Sequence, residues 1–282
     1  MKTAIVVGGN RGIGLECVKL LIEEKDVQKV VATARNPEKF PKIENGEKLQ
    51  VEKLNITSEE SVLSFAEKMG PSSYDILVLN AGVAPEGNDK SFESIKTTID
   101  VNYFGISSAL KSLFPLACEE ARIVCLSSVF GLRGMLNLNP NPNVFEGNYV
   151  FDYGQKLFST TLAKTTFDEL DIIAKRFIED QKNPSQAQAD GWPSPEQTPM
   201  TAYDMSKLLV NNLVRLYGEK AASEGKNVLI NSACPGFCDT DMTAGVPCEK
   251  PKTARDGAES VLSLCFIAPG RSQPNGKMLI DA

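Results

Sequence analysis

The 282-residue sequence contains no histidine. This absence excludes Ser-His-Asp triads, imidazole general bases and every metal site that requires a histidine ligand. Any acid–base chemistry that the chain performs must therefore use other side chains.

The sequence also lacks a dense run of lysine and arginine and a long apolar segment. Its 36 acidic and 30 basic residues give a net charge of −6, so nucleic acid is not an expected partner. No window approaches the roughly 18 apolar residues of a membrane span, and the apolar start is too short for a signal peptide. We therefore expect a cytoplasmic protein that does not bind a membrane.

Seven cysteines are scattered along the chain without a C-x-x-C pair. A secreted protein would more often show a paired framework, so we expect reduced and mostly buried thiols. Cys234 and Cys238 are separated by three residues and have no other candidate ligand nearby. A redox pair or a metal site is not favoured there, and no metal is expected.

Short aliphatic runs alternate with helical stretches along most of the chain. The runs at 4–7, 29–32, 49–54, 76–79, 123–126, 228–233 and 277–280 are candidate strands, several continuously apolar as in parallel sheets. Candidate helices cover 13–24, 94–116, 202–224 and 254–266, and a capping box at Thr57-x-x-Glu60 predicts another. The alternation predicts an α/β fold: a Rossmann-type doubly wound domain with a seven-stranded, mostly parallel sheet flanked by helices.

Residues 137–199 interrupt this alternation. They contain no convincing strand, their flanks are rich in Asn, Pro and Gln, and residues 156–182 have helical spacing. We interpret them as a helical insertion within a single domain covering 1–282. An autonomous second domain is the alternative, but about 60 residues with few large apolar groups would make a marginal core.

The first predicted strand is followed by the string Gly8-Gly9-Asn10-Arg11-Gly12-Ile13-Gly14, which opens a helix. Such glycines let the backbone turn tightly and approach a pyrophosphate at the helix N-terminus, although a purely structural turn also favours glycine. The second strand ends at Arg35, where many NAD-binding folds have a carboxylate. Arg35 and Arg11 together suit a 2′-phosphate and favour NADP(H); the alternative for each is a solvated surface charge.

Further motifs follow in a fixed order. They are Asn80-Ala81-Gly82, Asn102 within Val101-Asn102-Tyr103-Phe104-Gly105, Ser127-Ser128, Tyr203-x-x-x-Lys207 and Pro235-Gly236. In this order the sequence resembles the short-chain dehydrogenases/reductases along nearly its whole length. The resemblance implies that NADP(H) contacts Gly8, Asn10, Arg11, Gly12, Ile13, Gly14, Arg35, Asn55, Ile56, Asn80, Ala81, Gly82, Tyr203, Lys207, Pro235, Gly236, Phe237 and Thr240.

Tyr203 and Lys207 are four residues apart, so they share one face of a helix. The ammonium group is expected to lower the pKa of the phenol from its usual value of about 10. By resemblance, Tyr203 donates a proton to the substrate oxygen, Ser128 hydrogen-bonds that oxygen, Lys207 holds the nicotinamide ribose and Asn102 fixes a water. Ser127 is the alternative to Ser128 as the active hydroxyl.

Ser128 and Tyr203 are 75 positions apart. In this spacing and in the stretch Gly191-Trp192-Pro193-Ser194, the sequence resembles the carbonyl reductases with a long insertion before the active-site tyrosine. The resemblance implies a monomer that uses NADPH to reduce ketones, aldehydes and quinones. Candidate apolar pocket residues are Phe130, Met135, Trp192, Phe237 and Met242.

Two positions depart from the family pattern. Val7 replaces the threonine whose hydroxyl braces the Asn80 loop, and Asn55 replaces an adenine-contacting aspartate. We expect Asn55 to accept a hydrogen bond through its amide oxygen instead.

Two other functions remain open. One is a dedicated oxidoreductase for a single alcohol or ketone of terpenoid or alkaloid type; the other is a non-catalytic NADP-binding sensor or scaffold. The intact set of Asn102, Ser128, Tyr203 and Lys207 favours an enzyme.

Overall fold

A computed structural model describes residues 2–44, 46–86, 89–133, 165–189, 192 and 200–280. Seven strands form one sheet in the order β3-β2-β1-β4-β5-β6-β7, and all six neighbouring pairs are parallel. Their bounds are β1 Lys2–Val7, β2 Val27–Ala34, β3 Leu49–Lys53, β4 Tyr74–Leu79, β5 Ala117–Leu126, β6 Leu229–Cys234 and β7 Met278–Ile280. The predicted Rossmann-type sheet is confirmed.

The sheet is covered by helices on both faces. The helices are α1 Gly12–Glu23, α2 Glu59–Met69, α3 Phe92–Ile99, α4 Ile106–Leu113, α5 Phe130–Arg133, α6 Phe167–Asp180, α7 Pro184–Ala189, α8 Thr201–Ser223 and α9 Ala254–Ser263. Short 3₁₀ turns lie at Pro37–Lys39, Gly46–Lys48, Phe114–Leu116 and Leu264–Phe266.

The alternation of side chains along β1 divides the core into two apolar clusters. Ile5 and Val7 pack with α2, α3, α4, α6 and α8, whereas Ala4 and Val6 pack with α1 and α9. The strand order reverses at β1, which lies between β2 and β4. In open α/β sheets ligands bind at such a reversal, beyond the carboxyl ends of the strands.

The predicted insertion contributes α6 and α7 to the described chain. Thr166 and Glu169 form a capping box at the start of α6, and Leu170, Ala174 and Phe177 are buried in the same apolar cluster as the sheet. Residues 156–164, the first part of the predicted helical segment 156–182, lie outside the described residues. The described part of the insertion therefore has no separate core.

Two local predictions are corrected by the structure. The N-cap of α2 is Ser58, whose hydroxyl accepts a hydrogen bond from the Ser61 amide, while the Thr57 hydroxyl donates to Asn55. The capping box at Thr57-x-x-Glu60 was therefore one residue out of register. The helix predicted at 94–116 is interrupted by a π-helical turn, Asp100–Gly105, between α3 and α4.

A buried arginine links strand β5 to the loop before β6 and to the loop after the 3₁₀ turn Leu264–Phe266. Arg122 of β5 is 4% exposed, and its guanidinium donates hydrogen bonds to carbonyl oxygens of Ile267 at 3.1 Å, Ala268 at 3.0 Å and Asn227 at 3.2 Å. Burial lowers the pKa of Arg122 from the usual range. The planar guanidinium group has several N–H donors in fixed directions, so it can hydrogen-bond carbonyl groups of two loops at the same time.

Arg122→Lys should lower the free energy of unfolding by about 2–3 kcal/mol, because an ammonium cannot reach the same set of carbonyl groups. Urea unfolding measures this change. Arg271→Lys, at an exposed position, is the matched control and should change the value by less than about 0.5 kcal/mol. Equal effects of the two substitutions would contradict the linking role of Arg122.

Candidate active site

The turn after β1 requires glycine at two closely packed positions. A Cβ on Gly14 would lie 2.3 Å from both the Gly8 carbonyl oxygen and the Asn80 amide nitrogen. Gly8 has φ +79°, a left-handed conformation, and a Cβ there would lie 2.9 Å from the Ala81 backbone. The turn after β1 and the Asn80 loop after β4 are therefore pressed together at the sheet reversal.

Backbone groups hold the Asn80 loop in place. The Asn80 side chain donates to the Gly8 oxygen at 2.7 Å, and the amides of Asn80 and Ala81 both donate to the Val7 oxygen. The Thr33 hydroxyl accepts from the Gly8 amide at 3.3 Å. Val7 thus braces the loop through its carbonyl group, so this brace does not depend on a hydroxyl at position 7.

The two candidate 2′-phosphate ligands differ in their surroundings. Arg35 is exposed just beyond the end of β2. Arg11 pairs with Asp241, a residue after β6, with 3.1 Å between the guanidinium and carboxylate groups. Thr240 lies beside Gly12, because a Cβ on that glycine would be 3.5 Å from the threonine methyl. The segment after β6 therefore reaches over the glycine turn.

The residues after β3 are held by local contacts. The Asn55 amide oxygen accepts hydrogen bonds from the Thr57 amide at 3.3 Å and the Thr57 hydroxyl at 2.9 Å. In the chain alone, therefore, the oxygen expected to accept from adenine accepts from Thr57. Ile56 is buried against Gly105, where a Cβ would lie 2.8 Å from the isoleucine side chain.

Lys207 lies on α8, buried beneath the carboxyl end of β5. Its ammonium group donates to the Leu126 oxygen at 2.9 Å and is 5.4 Å from the centre of the Tyr203 ring. A Cβ on Gly82 would lie 3.8 Å from this nitrogen, so the loop after β4 adjoins it. Burial lowers the pKa of Lys207 to about 8.

The hydroxyl of Tyr203 shares a hydrogen bond with Ser128. Burial raises the pKa of Tyr203 above its usual value, the nearby Cys234 thiol adds to this, and the Ser128 bond opposes it. The expectation that Lys207 lowers the pKa of Tyr203 is therefore wrong for the chain alone, because desolvation dominates. Tyr203 is protonated at neutral pH.

The two candidate serines have different neighbours. The Ser127 hydroxyl is buried and contacts the backbone oxygen of Lys207 at 3.4 Å. Ser128 is half-buried and is the one bonded to Tyr203, and its hydroxyl also accepts from the Phe130 amide at 3.2 Å. The structure thus brings Ser128 to the tyrosine.

Asn102 lies in the π-helical turn and is 1% exposed. Its amide exchanges two hydrogen bonds with the Val83 backbone, each 2.8 Å long, and also donates to the Ser206 hydroxyl at 3.0 Å. Ser206 in turn donates to the Tyr203 backbone oxygen at 2.7 Å. Asn102 therefore joins the loop after β4 to the helix that carries Tyr203 and Lys207.

The candidate pocket residues fall into three groups. The Phe130 ring is 6.1 Å from the Tyr203 ring in an edge-on contact, and Phe237 and Met242 are exposed on the segment after β6. Trp192 packs on Phe177 and its indole nitrogen donates to Asp180, and both of these partners belong to the insertion. Met135 lies outside the described residues.

Pro235 and Gly236 lead out of β6 beside the reaction centre, and Gly236 has φ +81°. The Cys234 thiol accepts a hydrogen bond from the Val129 amide at 3.4 Å. All seven cysteines lie among the described residues and none forms a disulfide; five of them are buried. Among the described residues, His, Cys, Asp and Glu side chains form no group of three that could hold a metal. No helix in that part of the chain is long and apolar enough to cross a bilayer.

Comparison with known proteins identifies the family. The model of the short chain dehydrogenases matches residues 2–140. Across 99% of the chain, the sequence is 30% identical to carbonyl reductase (NADPH) 1 of Rattus norvegicus, of which it covers 95%. The chain belongs to the short-chain dehydrogenase family. The family predicted from the motif order is confirmed, and with it the class of oxidoreductases.

Other family members match over a similar length. Carbonyl reductase (NADPH) 1 of Homo sapiens is 29% identical over 99% of the chain and 95% of its own length. Salutaridine reductase from Papaver somniferum has a TM-score of 0.78 at 24% identity, with 99% of both chains covered. The NADPH-bound carbonyl reductase from chicken fatty liver has a TM-score of 0.66 at 18% identity, with 100% and 96% covered. These structural matches establish the fold.

Three contacts of this short-chain dehydrogenase site were missed in the sequence. Ser206 lies three residues after Tyr203, and that helical spacing was the available signal. The Leu126 carbonyl carries no side-chain signal, since every residue has one. Asp241 is 230 residues from Arg11, and nothing local indicates the pair.

Proposed function

We propose that this short-chain dehydrogenase is an NADPH-dependent reductase of ketones, aldehydes and quinones. The observation that carries the proposal is the protonated Tyr203, bonded to Ser128 and adjacent to buried Lys207, whose ammonium group adjoins the loop after β4. The names of the relatives, carbonyl reductases (NADPH) of rat and human, support both the cofactor and the substrate class.

The residues around the turn after β1 fit a dinucleotide. Gly8 and Gly14 let this turn pack closely against the Asn80 loop, and the turn leads into the N-terminus of α1, where backbone N–H groups can bind a pyrophosphate. Arg35 and Arg11 would hold the 2′-phosphate, and Lys207 and Tyr203 the nicotinamide ribose. When bound, NADPH supplies the hydride that reduces the carbonyl carbon.

Tyr203 supplies the proton. A phenol that burial keeps protonated at neutral pH can donate to a carbonyl oxygen as that oxygen gains charge. The Ser128 hydroxyl donates a second hydrogen bond to the same oxygen and orients it toward Tyr203. Lys207, with a pKa of about 8, is charged at neutral pH and stabilises the phenolate that remains after transfer.

Asn102 supports this set without contacting the tyrosine hydroxyl. Its bonds to Val83 and Ser206 fix the distance between the Asn80–Gly82 loop and α8. We infer that it also holds a water that returns a proton toward Lys207.

The substrate would lie against apolar side chains around Tyr203. We assign Phe130, Met135, Phe237 and Met242 to this pocket, with Trp192 supporting it from the insertion. A pocket lined by apolar side chains, with the hydroxyl groups of Tyr203 and Ser128 at one end, suits a substrate whose carbonyl group is attached to an apolar molecule.

The insertion also supports a monomeric enzyme. Helix α6 packs on α8 and buries Leu170 and Phe177 there, which covers a face of α8 that would otherwise be available to a second subunit. Seven cysteines without a disulfide suit a reducing compartment such as the cytoplasm.

Tyr203→Phe should lower kcat/KM for carbonyl reduction by about 10²- to 10⁴-fold, because the proton donor is lost. NADPH oxidation with a panel of aldehydes, ketones and ortho-quinones measures this, and NADPH binding should change by less than about 3-fold.

Tyr74→Phe is the matched control for this loss. It also removes a buried hydroxyl, one that donates to the Leu113 oxygen away from the site, and should leave kcat/KM unchanged. Wild-type protein that binds NADPH but reduces no carbonyl in the panel would refute the proposed function. A Tyr203→Phe variant with full activity would refute the role of the tyrosine.

Cofactor choice should depend on the two arginines. Arg35→Asp should lower the preference for NADPH over NADH by about 10- to 100-fold, since hydrogen bonds to charged groups contribute about 1.5–3 kcal/mol.

Asp241→Asn should raise the affinity for NADPH by about 2- to 5-fold and leave the affinity for NADH unchanged, because the exposed carboxylate competes with the 2′-phosphate for Arg11.

Fluorescence titration with both cofactors measures these changes. Asp239→Asn, an exposed carboxylate in the same segment, is the control and should have no effect. Unchanged selectivity in Arg35→Asp, or equal gains for both cofactors in Asp241→Asn, would contradict these roles.

A further inference from the structure

The π-helical turn that carries Asn102 is tied to the insertion through the next residue. Tyr103 is fully buried, and its hydroxyl donates to the Asp171 carboxylate at 2.8 Å. Asp171 lies on α6, 68 residues along the chain and within the insertion. Neither residue belongs to the set that acts on substrate or cofactor.

A π-helical turn is a rare form of helix that occurs mostly as a single turn inside an α-helix, frequently at a functional site. Side chains of this turn make tertiary contacts on two sides. On one side, Asn102 is bonded to Val83 and Ser206. On the other side, Tyr103 is bonded to Asp171 and its ring packs edge-on against Phe104 at 5.1 Å. Consecutive residues of the turn therefore hold it between the active site and the insertion.

Helix α6, which carries the acceptor of the Tyr103–Asp171 hydrogen bond, is held in place by its own packing and capping. Leu170, Ala174 and Phe177 are fully buried, and the capping box at Thr166 and Glu169 fixes the first turn of the helix. Asp171 is partly buried, and the groups that face it are Tyr103 from the π-helical turn and Tyr217 from α8. Its carboxylate is held at a defined point beside the turn.

We propose that Asp171 is a positioning residue for Asn102, because it fixes the π-helical turn through the hydroxyl of Tyr103. The insertion then acts in catalysis as well as covering α8. Loss of the bond should let the turn relax toward a regular helix and displace the Asn102 backbone and amide. The proposal rests on the proposed carbonyl reductase activity.

Three variants isolate the bond. Tyr103→Phe removes the donor, Asp171→Ala removes the acceptor, and Asp171→Asn removes the charge but keeps an oxygen that can accept. We expect kcat to fall by about 10-fold in the first two, since small misplacements in an active site are costly. Asp171→Asn should retain kcat within about 3-fold, and NADPH affinity should be unchanged in all three.

The double variant Tyr103→Phe with Asp171→Ala tests whether the two groups act together. It should lose no more activity than either single variant, because both remove the same bond. Asp168→Ala, which removes an exposed carboxylate one turn earlier on α6, is the matched control and should keep full activity.

Amide hydrogen exchange of residues 100–105 provides a readout that does not depend on activity. Exchange should be faster in Tyr103→Phe and Asp171→Ala than in wild type or Asp171→Asn. Unchanged kcat and exchange in the first two variants would overturn the proposal, and so would an equal loss in Asp171→Asn and Asp171→Ala. If wild-type protein reduces no carbonyl, the proposed function fails, whereas the exchange rates still decide whether Asp171 positions the turn.

Discussion

The site depends on the burial of one ammonium group. Lys207 lies under the carboxyl end of β5, and its bond to the Leu126 oxygen compensates part of the cost of removing a charge from water. The surrounding backbone must approach closely to exclude water. A Cβ on Gly131 would lie 2.6 Å from the Lys207 carbonyl carbon, and a Cβ on Gly82 would lie 3.3 Å from the Asn102 side-chain oxygen and 3.8 Å from the Lys207 nitrogen. Three segments that are distant in sequence therefore meet around this one nitrogen.

Burial also shifts the pKa values of the two neighbouring groups. The burial of Tyr203 raises the pKa of its phenol, and the burial of Lys207 lowers the pKa of its ammonium group. Near neutral pH the phenol is therefore protonated, and the ammonium group is charged but loses its proton more readily than an exposed lysine. In the proposed function this pair has the proton-transfer role that histidine has in many other enzymes, so the absence of histidine is compatible with carbonyl reduction.

The sequence predicted those features that are encoded locally. Continuous apolar runs predicted the seven strands. The glycines from Gly8 to Gly14 predicted the turn after β1, and the structure shows that a Cβ at Gly8 or Gly14 has no space. Features created by tertiary packing were missed or wrong. The π-helical turn at Asn102 has the composition of an ordinary helix, and the partner of Arg11 lies 230 residues away. The capping box at Thr57 failed because Ser58, its neighbour, is an equally good cap.

The pKa of Lys207 is the quantity that tests this description most directly. Above a pKa of about 8 the folded enzyme loses the ammonium proton, so the single-turnover rate of aldehyde reduction by bound NADPH should fall as pH rises from 7 to 10. NADPH affinity, measured over the same range, separates a loss of binding from a loss of proton transfer. We predict a decline in rate centred near pH 8 with NADPH still bound. A rate that stays constant to pH 10 would contradict a buried Lys207 as the titrating group of the site.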